Sequence, residues 1–241
     1  MANTDEVALL DEAIVNAGAV SDRSGINNLW LMVIGCVNTF VYSLIAVSVF
    51  VSLCFAFQSI PLSAFQLHIG LSVLGYQLLM AYGIVSFYSY NGWWSSLPYA
   101  HRRTSHLILQ ITGSALAIGG SAIMIQHKSV NFNTIHGKLA LAALILTCMS
   151  LINGLMTLFR VGFVSSKAFK TSHLILGTSA FAVSSVCLSF GFNKETFRNW
   201  STDKLAYLMI GITCTYTLLI ILKPCNKIRK NIYTLTLLSI Y

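Results

Sequence analysis

Thr104-Ser105-His106-Leu107-Ile108-Leu109 recurs 67 residues later as Thr171-Ser172-His173-Leu174-Ile175-Leu176. Each copy places one histidine where a polar loop enters a long apolar run. A second pair keeps the same step, because His136 follows His68 by 68 residues, again near the leading ends of apolar runs. The chain therefore reads as a repeated two-helix unit with one histidine on each helix. One such histidine is accounted for by packing or by an interfacial position, whereas four in register suggest a cofactor site.

The composition sets the solvent in which this repeat folds. Of 241 residues, 56% are hydrophobic and 9% charged, with a mean hydropathy of +0.73, which is the profile of a polytopic membrane protein. Six apolar stretches, at about residues 29–57, 62–90, 105–126, 134–159, 172–192 and 205–222, each approach the roughly 20 residues needed to span a bilayer. Their short connections predict antiparallel neighbours in one all-α, six-helix transmembrane bundle. The expected organisation is a cytoplasmic N-terminal tail (1–28), the six-helix domain (29–222) and a cytoplasmic C-terminal tail (223–241). The first 27 residues hold five of the seven acids and lack the basic start of a cleaved signal, so the first span is expected to act as the targeting signal. Residues 7–17 fit either an amphipathic surface helix or a frayed tail.

Lysine and arginine counts orient the bundle, since short loops rich in them stay in the cytoplasm. Arg23, Arg102, Arg103, Arg160, Lys167, Lys170, Lys223, Lys227, Arg229 and Lys230 fall on one side, against Lys128, Lys138, Lys194, Arg198 and Lys204 on the other. Both termini are thus predicted in the cytoplasm, and the sequon Asn199-Trp200-Ser201 on the opposite side, close to the membrane. Five of the six cysteines lie within predicted spans and read as packing residues; Cys225 beside the membrane is a weak palmitoylation signal. The net charge of +8 follows from loop topology and lipid phosphates and implies no nucleic-acid partner.

Between Arg23 and Lys194 there is no Asp or Glu. Proton-coupled carriers and many cation transporters place acids within the membrane, so such mechanisms are hard to build here. Alternation of the spans puts His68 and His136 near the non-cytoplasmic face and His106 and His173 near the cytoplasmic face, each pair drawn from two helices. Zinc sites gather about four ligands at one point, which this division disfavours. Two neutral imidazoles facing each other suit the axial positions of a haem iron, with an apolar macrocycle lying between helices rich in Leu, Ile, Ala and Gly. Gly70, Gly75, Gly113, Gly119, Gly120, Gly137 and Gly177 would help make the space, although glycine is also common at membrane helix contacts. Ser105 and Ser172 are placed to cap the two helices of the cytoplasmic pair. His101 and His127 have no partner at equivalent depth. On one helix, His106 and His127 are 21 residues apart, about 32 Å at the helical rise, which a single haem cannot bridge.

The pieces Leu67-His68, Ser105-His106-Leu107-Ile108-Leu109-Gln110, His127-Lys128, His136-Gly137 and Lys170-Thr171-Ser172-His173 occur in an order that resembles the cytochrome b561 family, over about residues 62–222. That family often has tryptophan before and proline after its first ligand, whereas Leu67 and Ile69 flank His68 here. The resemblance implies two b haems per chain, one on His68 and His136 and one on His106 and His173. It implies an ascorbate-dependent transmembrane oxidoreductase that takes electrons from cytoplasmic ascorbate and reduces monodehydroascorbate radical or ferric chelates on the lumenal or extracellular side. It also implies a homodimer in the lipid bilayer and, from a short branch of the family, an endoplasmic reticulum or vesicle membrane. Arg102 and Arg103, three to four residues before His106, would attract anionic ascorbate, or are simply positive-inside loop charges. His127 and Lys128 match a family motif at the far side and would bind the acceptor or assist proton transfer. A flavin-dependent reductase is disfavoured, since no Gly-rich nucleotide fingerprint is present. The remaining alternative is a cofactor-free small transporter or helix-packing membrane protein with structural histidines.

Overall fold

A computed structural model describes the backbone of residues 4–87, 96–159 and 166–238 and the side chains of 28–87, 96–159 and 168–233. The last expected residues of the second span (88–90), Arg160 and the end of the C-terminal tail lie outside the described residues, as do the side chains of residues 7–17, Arg23 and Lys167. In chain order the elements are α1 (Thr4–Ala56), α2 (Ala64–Ser72), a π-helical stretch (Val73–Met80), α3 (Ala81–Val85), α4 (Tyr99–His127), α5 (Ile135–Phe159), α6 (Ser166–Phe192), α7 (Glu195–Trp200) and α8 (Asp203–Leu238). Among the described residues there is no strand, and six helical segments are long and apolar enough to cross a membrane: Asn28–Ala56, Ala64–Val85, Tyr99–His127, Ile135–Phe159, Ala168–Phe192 and Asp203–Tyr233. The protein is an all-α, multi-pass membrane bundle.

Hydrocarbon offers no hydrogen bonds, so polar groups within a span must be satisfied inside it. The hydroxyls of Thr39, Ser52, Thr178, Thr213 and Thr215 accordingly donate to carbonyls four residues back. α2 opens with a capping box: Ser63 Oγ accepts from the Gln66 amide, and the Ser63 amide donates to Gln66 Oε1 at 2.8 Å. Ser105 and Ser172 are not caps. α4 begins at Tyr99 behind Pro98, whose fixed φ suits the position before a helix, and α6 begins at Ser166, so both serines lie a turn or more inside. The polar residues preceding each histidine extend the helix out of the apolar layer instead of ending it.

The spans pack as two pairs, second with third and fourth with fifth; the fifth also packs on the sixth, and the first against the second and sixth. Lipid tails are as apolar as the helices, so close fit carries this association. At the second–third seam a Cβ on Gly75 would stand 2.5 Å from the Gly113 carbonyl oxygen and 2.8 Å from the Ala117 amide nitrogen, so only glycine permits this approach. The π-helical stretch widens the same helix and turns Tyr76 and Gln77 inward. Gln77 Oε1 accepts from Tyr216 Oη at 2.7 Å and Ser185 Oγ at 3.3 Å, tying the second, fifth and sixth spans together, and Tyr76 Oη pairs with Thr147 Oγ1 at 3.2 Å. Around them Val41, Ile45, Val49, Val73, Val85, Phe181 and Ile220 form a buried cluster.

Candidate functional site

His68 sits one turn into the second span and His136 at the start of the fourth, and their ring centroids lie 6.5 Å apart with planes at 88°. His106 and His173, on the third and fifth spans, face each other at 6.2 Å and also 88°. All four rings are half-buried. The structure thus brings together the same two pairs that the repeat predicts.

Each ring is fixed by a bond to a backbone carbonyl of a neighbouring helix. His68 Nδ1 lies 2.9 Å from the Gly120 carbonyl and His106 Nδ1 2.8 Å from that of Gly83, so the second and third spans exchange bonds. His136 Nδ1 lies 2.9 Å from the Cys187 carbonyl and His173 Nδ1 3.0 Å from that of Ser150, the same exchange between the fourth and fifth spans. A carbonyl oxygen only accepts, so Nδ1 carries the proton in all four rings and Nε2 of each neutral imidazole keeps its lone pair. This is the arrangement of a metal-ligating histidine, whose other nitrogen donates to a carbonyl that sets tautomer and ring direction.

The spacing tests whether a metal fits between the rings. An imidazole binds a metal at about 2.0–2.1 Å, and Nε2 stands roughly 1.1 Å from its ring centre, so two rings on opposite sides of one ion have centroids about 6.3 Å apart. The observed 6.2 and 6.5 Å bracket that value. No group of three or more His, Cys, Asp or Glu side chains is close enough to hold a metal among the described residues. Two imidazoles at this separation would hold an iron whose other ligands come from a macrocycle, and two side chains alone do not supply a tetrahedral zinc site.

Shape agrees with this chemistry. A cavity of about 360 Å³ beside His68 and His136 is walled by Phe55, Ile69, Val73, Leu144, Leu188 and Phe192, and Lys128, Asn131, Asn133 and Lys194 also line it. Glycines stand directly against the rings. A Cβ on Gly154 would lie 2.9 Å from His173 Cε1, while one on Gly191 would lie 3.6 Å from His136 Cε1. Gln110, one turn beyond His106, donates to the Met80 carbonyl at 3.1 Å, and Phe87 packs on the His106 ring at 4.7 Å.

Arg102 and Arg103 occupy the first turn of α4, ahead of His106. Arg103 is exposed; Arg102 is half-buried, its guanidinium 5.9 Å from the Tyr99 ring, and its Nε is buried with no hydrogen-bond partner among the described residues. His127 and Lys128 are exposed at the opposite end of the same helix. Both line a shallow depression there, and Lys128 alone of the two also lines the cavity of His68 and His136.

Sequence reasoning missed the four carbonyl acceptors, Lys194 and the π-helical stretch. Of the glycines expected to make space, Gly75, Gly113, Gly120, Gly137 and Gly177 stand in close contacts, Gly70 has ordinary contact and Gly119 faces open space. Gly83 and Gly154, which were not among them, touch the machinery of the third–fifth pair. The signal was available, since both are glycines inside apolar spans.

A family model described as eukaryotic cytochrome b561 matches residues 67–198, more than half of the chain, and that stretch contains all four paired histidines. It begins at Leu67, directly before His68, and stops short of the sixth span, so it is narrower than the resemblance over 62–222. No individual curated protein matches the chain. With its six apolar helices and its matched core, the chain belongs to the eukaryotic cytochrome b561 family of membrane-spanning, b-haem electron-transfer proteins.

Proposed function

We propose that this protein carries electrons from cytoplasmic ascorbate to monodehydroascorbate radical or a ferric chelate on the lumenal or extracellular side. The observation that carries the reading is the pairing of the four rings at 6.5 and 6.2 Å, each anchored through Nδ1 to a carbonyl of the neighbouring helix so that Nε2 is left free to ligate. His106 with His173, and His68 with His136, would each hold one b haem. When bound, each haem supplies an iron that takes up and gives up one electron, at a potential set by its ligands and surroundings.

The chain's own residues do the rest. The Nδ1 bonds fix the tautomer and direction of each imidazole, so the ligands need little rearrangement at either oxidation state. Largely apolar walls surround the cavity of His68 and His136. Arg102 and Arg103 bring positive charge one turn from His106, where they raise the local concentration of the ascorbate anion. His127 and Lys128 offer the acceptor a donor and a cation at the opposite end. The Lys and Arg bias supports both termini in the cytoplasm, with residues 1–28 and 223–241 as tails of the 29–222 domain, and the resemblance supports a homodimer of the endoplasmic reticulum or vesicle membrane.

The test is the reduced-minus-oxidised optical spectrum of purified protein before and after adding ascorbate, with haem quantified per chain, for wild type, His106→Ala and His136→Ala. Two haems per wild-type chain, reduced by ascorbate, with one lost in each variant, is the expected result. A colourless wild-type protein made with ample haem would refute the proposal and favour a cofactor-free transporter or scaffold.

A further inference from the structure

We infer that Lys128 and Lys194 form a two-point cation clamp for the carboxylates of the haem held by His68 and His136. The inference rests on the bis-histidine reading above and adds to it the residues that bind the charged edge of the cofactor.

The two lysines come from different loops and converge on one cavity. Lys128 follows α4, and Lys194 lies between α6 and α7; both line the space bordered by His68 and His136. Lys128 stands within electrostatic reach of both histidines and Lys194 within reach of His136. Acid is scarce around them. None occurs from residue 24 to residue 194; Glu195 directly follows Lys194 but does not line the cavity, and among the described residues the one ion pair, Arg198 with Asp203, involves neither lysine. Two ammonium groups lining one largely apolar cavity suit a ligand that pairs an apolar body with anionic groups, and a b-type haem carries two carboxylates on an otherwise apolar macrocycle.

The loop bearing Lys128 is held in place for this task. Asn131 donates from Nδ2 to the Ile125 carbonyl at 3.0 Å, folding the chain back over the end of α4, and the next residue, Phe132, has φ of 59°, a left-handed conformation that a bulky side chain rarely takes. A Cβ on Gly137 would lie 3.1 Å from Phe132 Cα, so the turn presses directly on the helix that carries His136. The same turn places Asn131, Asn133 and Thr134 on the cavity lining.

The experiment compares haem with its dimethyl ester, which keeps the macrocycle and the iron but lacks the two charges. Full-length His106→Ala protein, which leaves one haem site, is freed of haem and titrated with each compound, and Lys128→Gln, Lys194→Gln and their double variant are titrated in the same background. Lys204→Gln, an exposed cation outside the cavity, serves as the control. Haem should bind the parent at least about tenfold more tightly than the ester, each Lys→Gln change should cost haem affinity about tenfold, and none should alter ester affinity. The ester comparison in the parent needs no lysine substitution, so it stands even where a variant folds poorly. Equal binding of haem and ester by the parent, or losses in the variants that are the same for both compounds, would overturn the clamp while leaving the histidine ligation intact. A parent chain that binds neither compound would overturn the ligation and the clamp together.

Discussion

Replacing Gly154 by alanine should remove one haem and leave the other. The added methyl would stand 2.9 Å from His173 Cε1 and 3.2 Å from Nδ1, whereas ordinary contact begins at 3.4 Å, so the ring must retreat by about half an ångström. Metal sites tolerate only about 0.2 Å in ligand distance. The retreat also strains the 3.0 Å bond from Nδ1 to the Ser150 carbonyl, which sets the ring's direction. Disturbing such an orienting bond typically costs 10- to 100-fold in metal affinity, or about 1.4–2.8 kcal/mol. Gly191 provides the matched comparison, because its added Cβ would meet His136 Cε1 at an unstrained 3.6 Å, and Gly119, with nothing within 4 Å, controls for helix propensity. Purified Gly154→Ala should carry about one haem per chain and titrate with the second 10- to 100-fold more weakly than wild type, while Gly191→Ala and Gly119→Ala keep both. Full, tightly bound occupancy of both sites in Gly154→Ala would mean that the position of His173 does not set ligation.

Two further outcomes follow from the same packing. Gln77→Leu deprives the fully buried Tyr216 hydroxyl of its acceptor at 2.7 Å, and should lower stability by about 1–2 kcal/mol, seen as an earlier thermal transition in detergent; an unchanged transition would show that the network does not brace the three spans. Arg102→Gln should raise KM for ascorbate several-fold with little change in kcat and flatten the salt dependence of kcat/KM; matching kinetics at low and high salt in wild type and variant would exclude a steering role.

The parts legible in the sequence are those that repeat or that obey the bilayer. Span number and approximate limits follow from apolar length, and the hexapeptide repeat places His106 and His173 at equivalent points of two helix pairs. The expectation for Ser105 and Ser172 failed because apolar length marks where lipid begins, not where a helix begins; α4 starts at Tyr99 and carries His106 on its third turn. The carbonyls of Gly83, Gly120, Ser150 and Cys187 were invisible because a backbone acceptor has no side-chain signature, and each belongs to a helix other than that of the histidine it holds. Lys194 was hidden by the rule that revealed topology: it counts as one loop cation among fifteen basic residues, and only the fold shows it beside His136.

The arrangement of those bonds explains why the four histidines act as a set. Within each two-helix unit, the two rings bond to each other's helix, His68 and His106 across the second and third spans, His136 and His173 across the fourth and fifth. Between units, the rings pair with their planes at 88°, one couple near each end. A change in the packing of one unit therefore reaches one ring of each couple. Gly75, at the second–third seam between Gly120 and Gly83 in depth, is where such a change would start, because its neighbour across the seam is the backbone of Gly113. A side chain there would spread the seam on which both His68 and His106 depend, and should weaken both haem sites together, in contrast to the single-site loss expected at Gly154. The two glycines thus separate what holds one ligand from what holds the repeat.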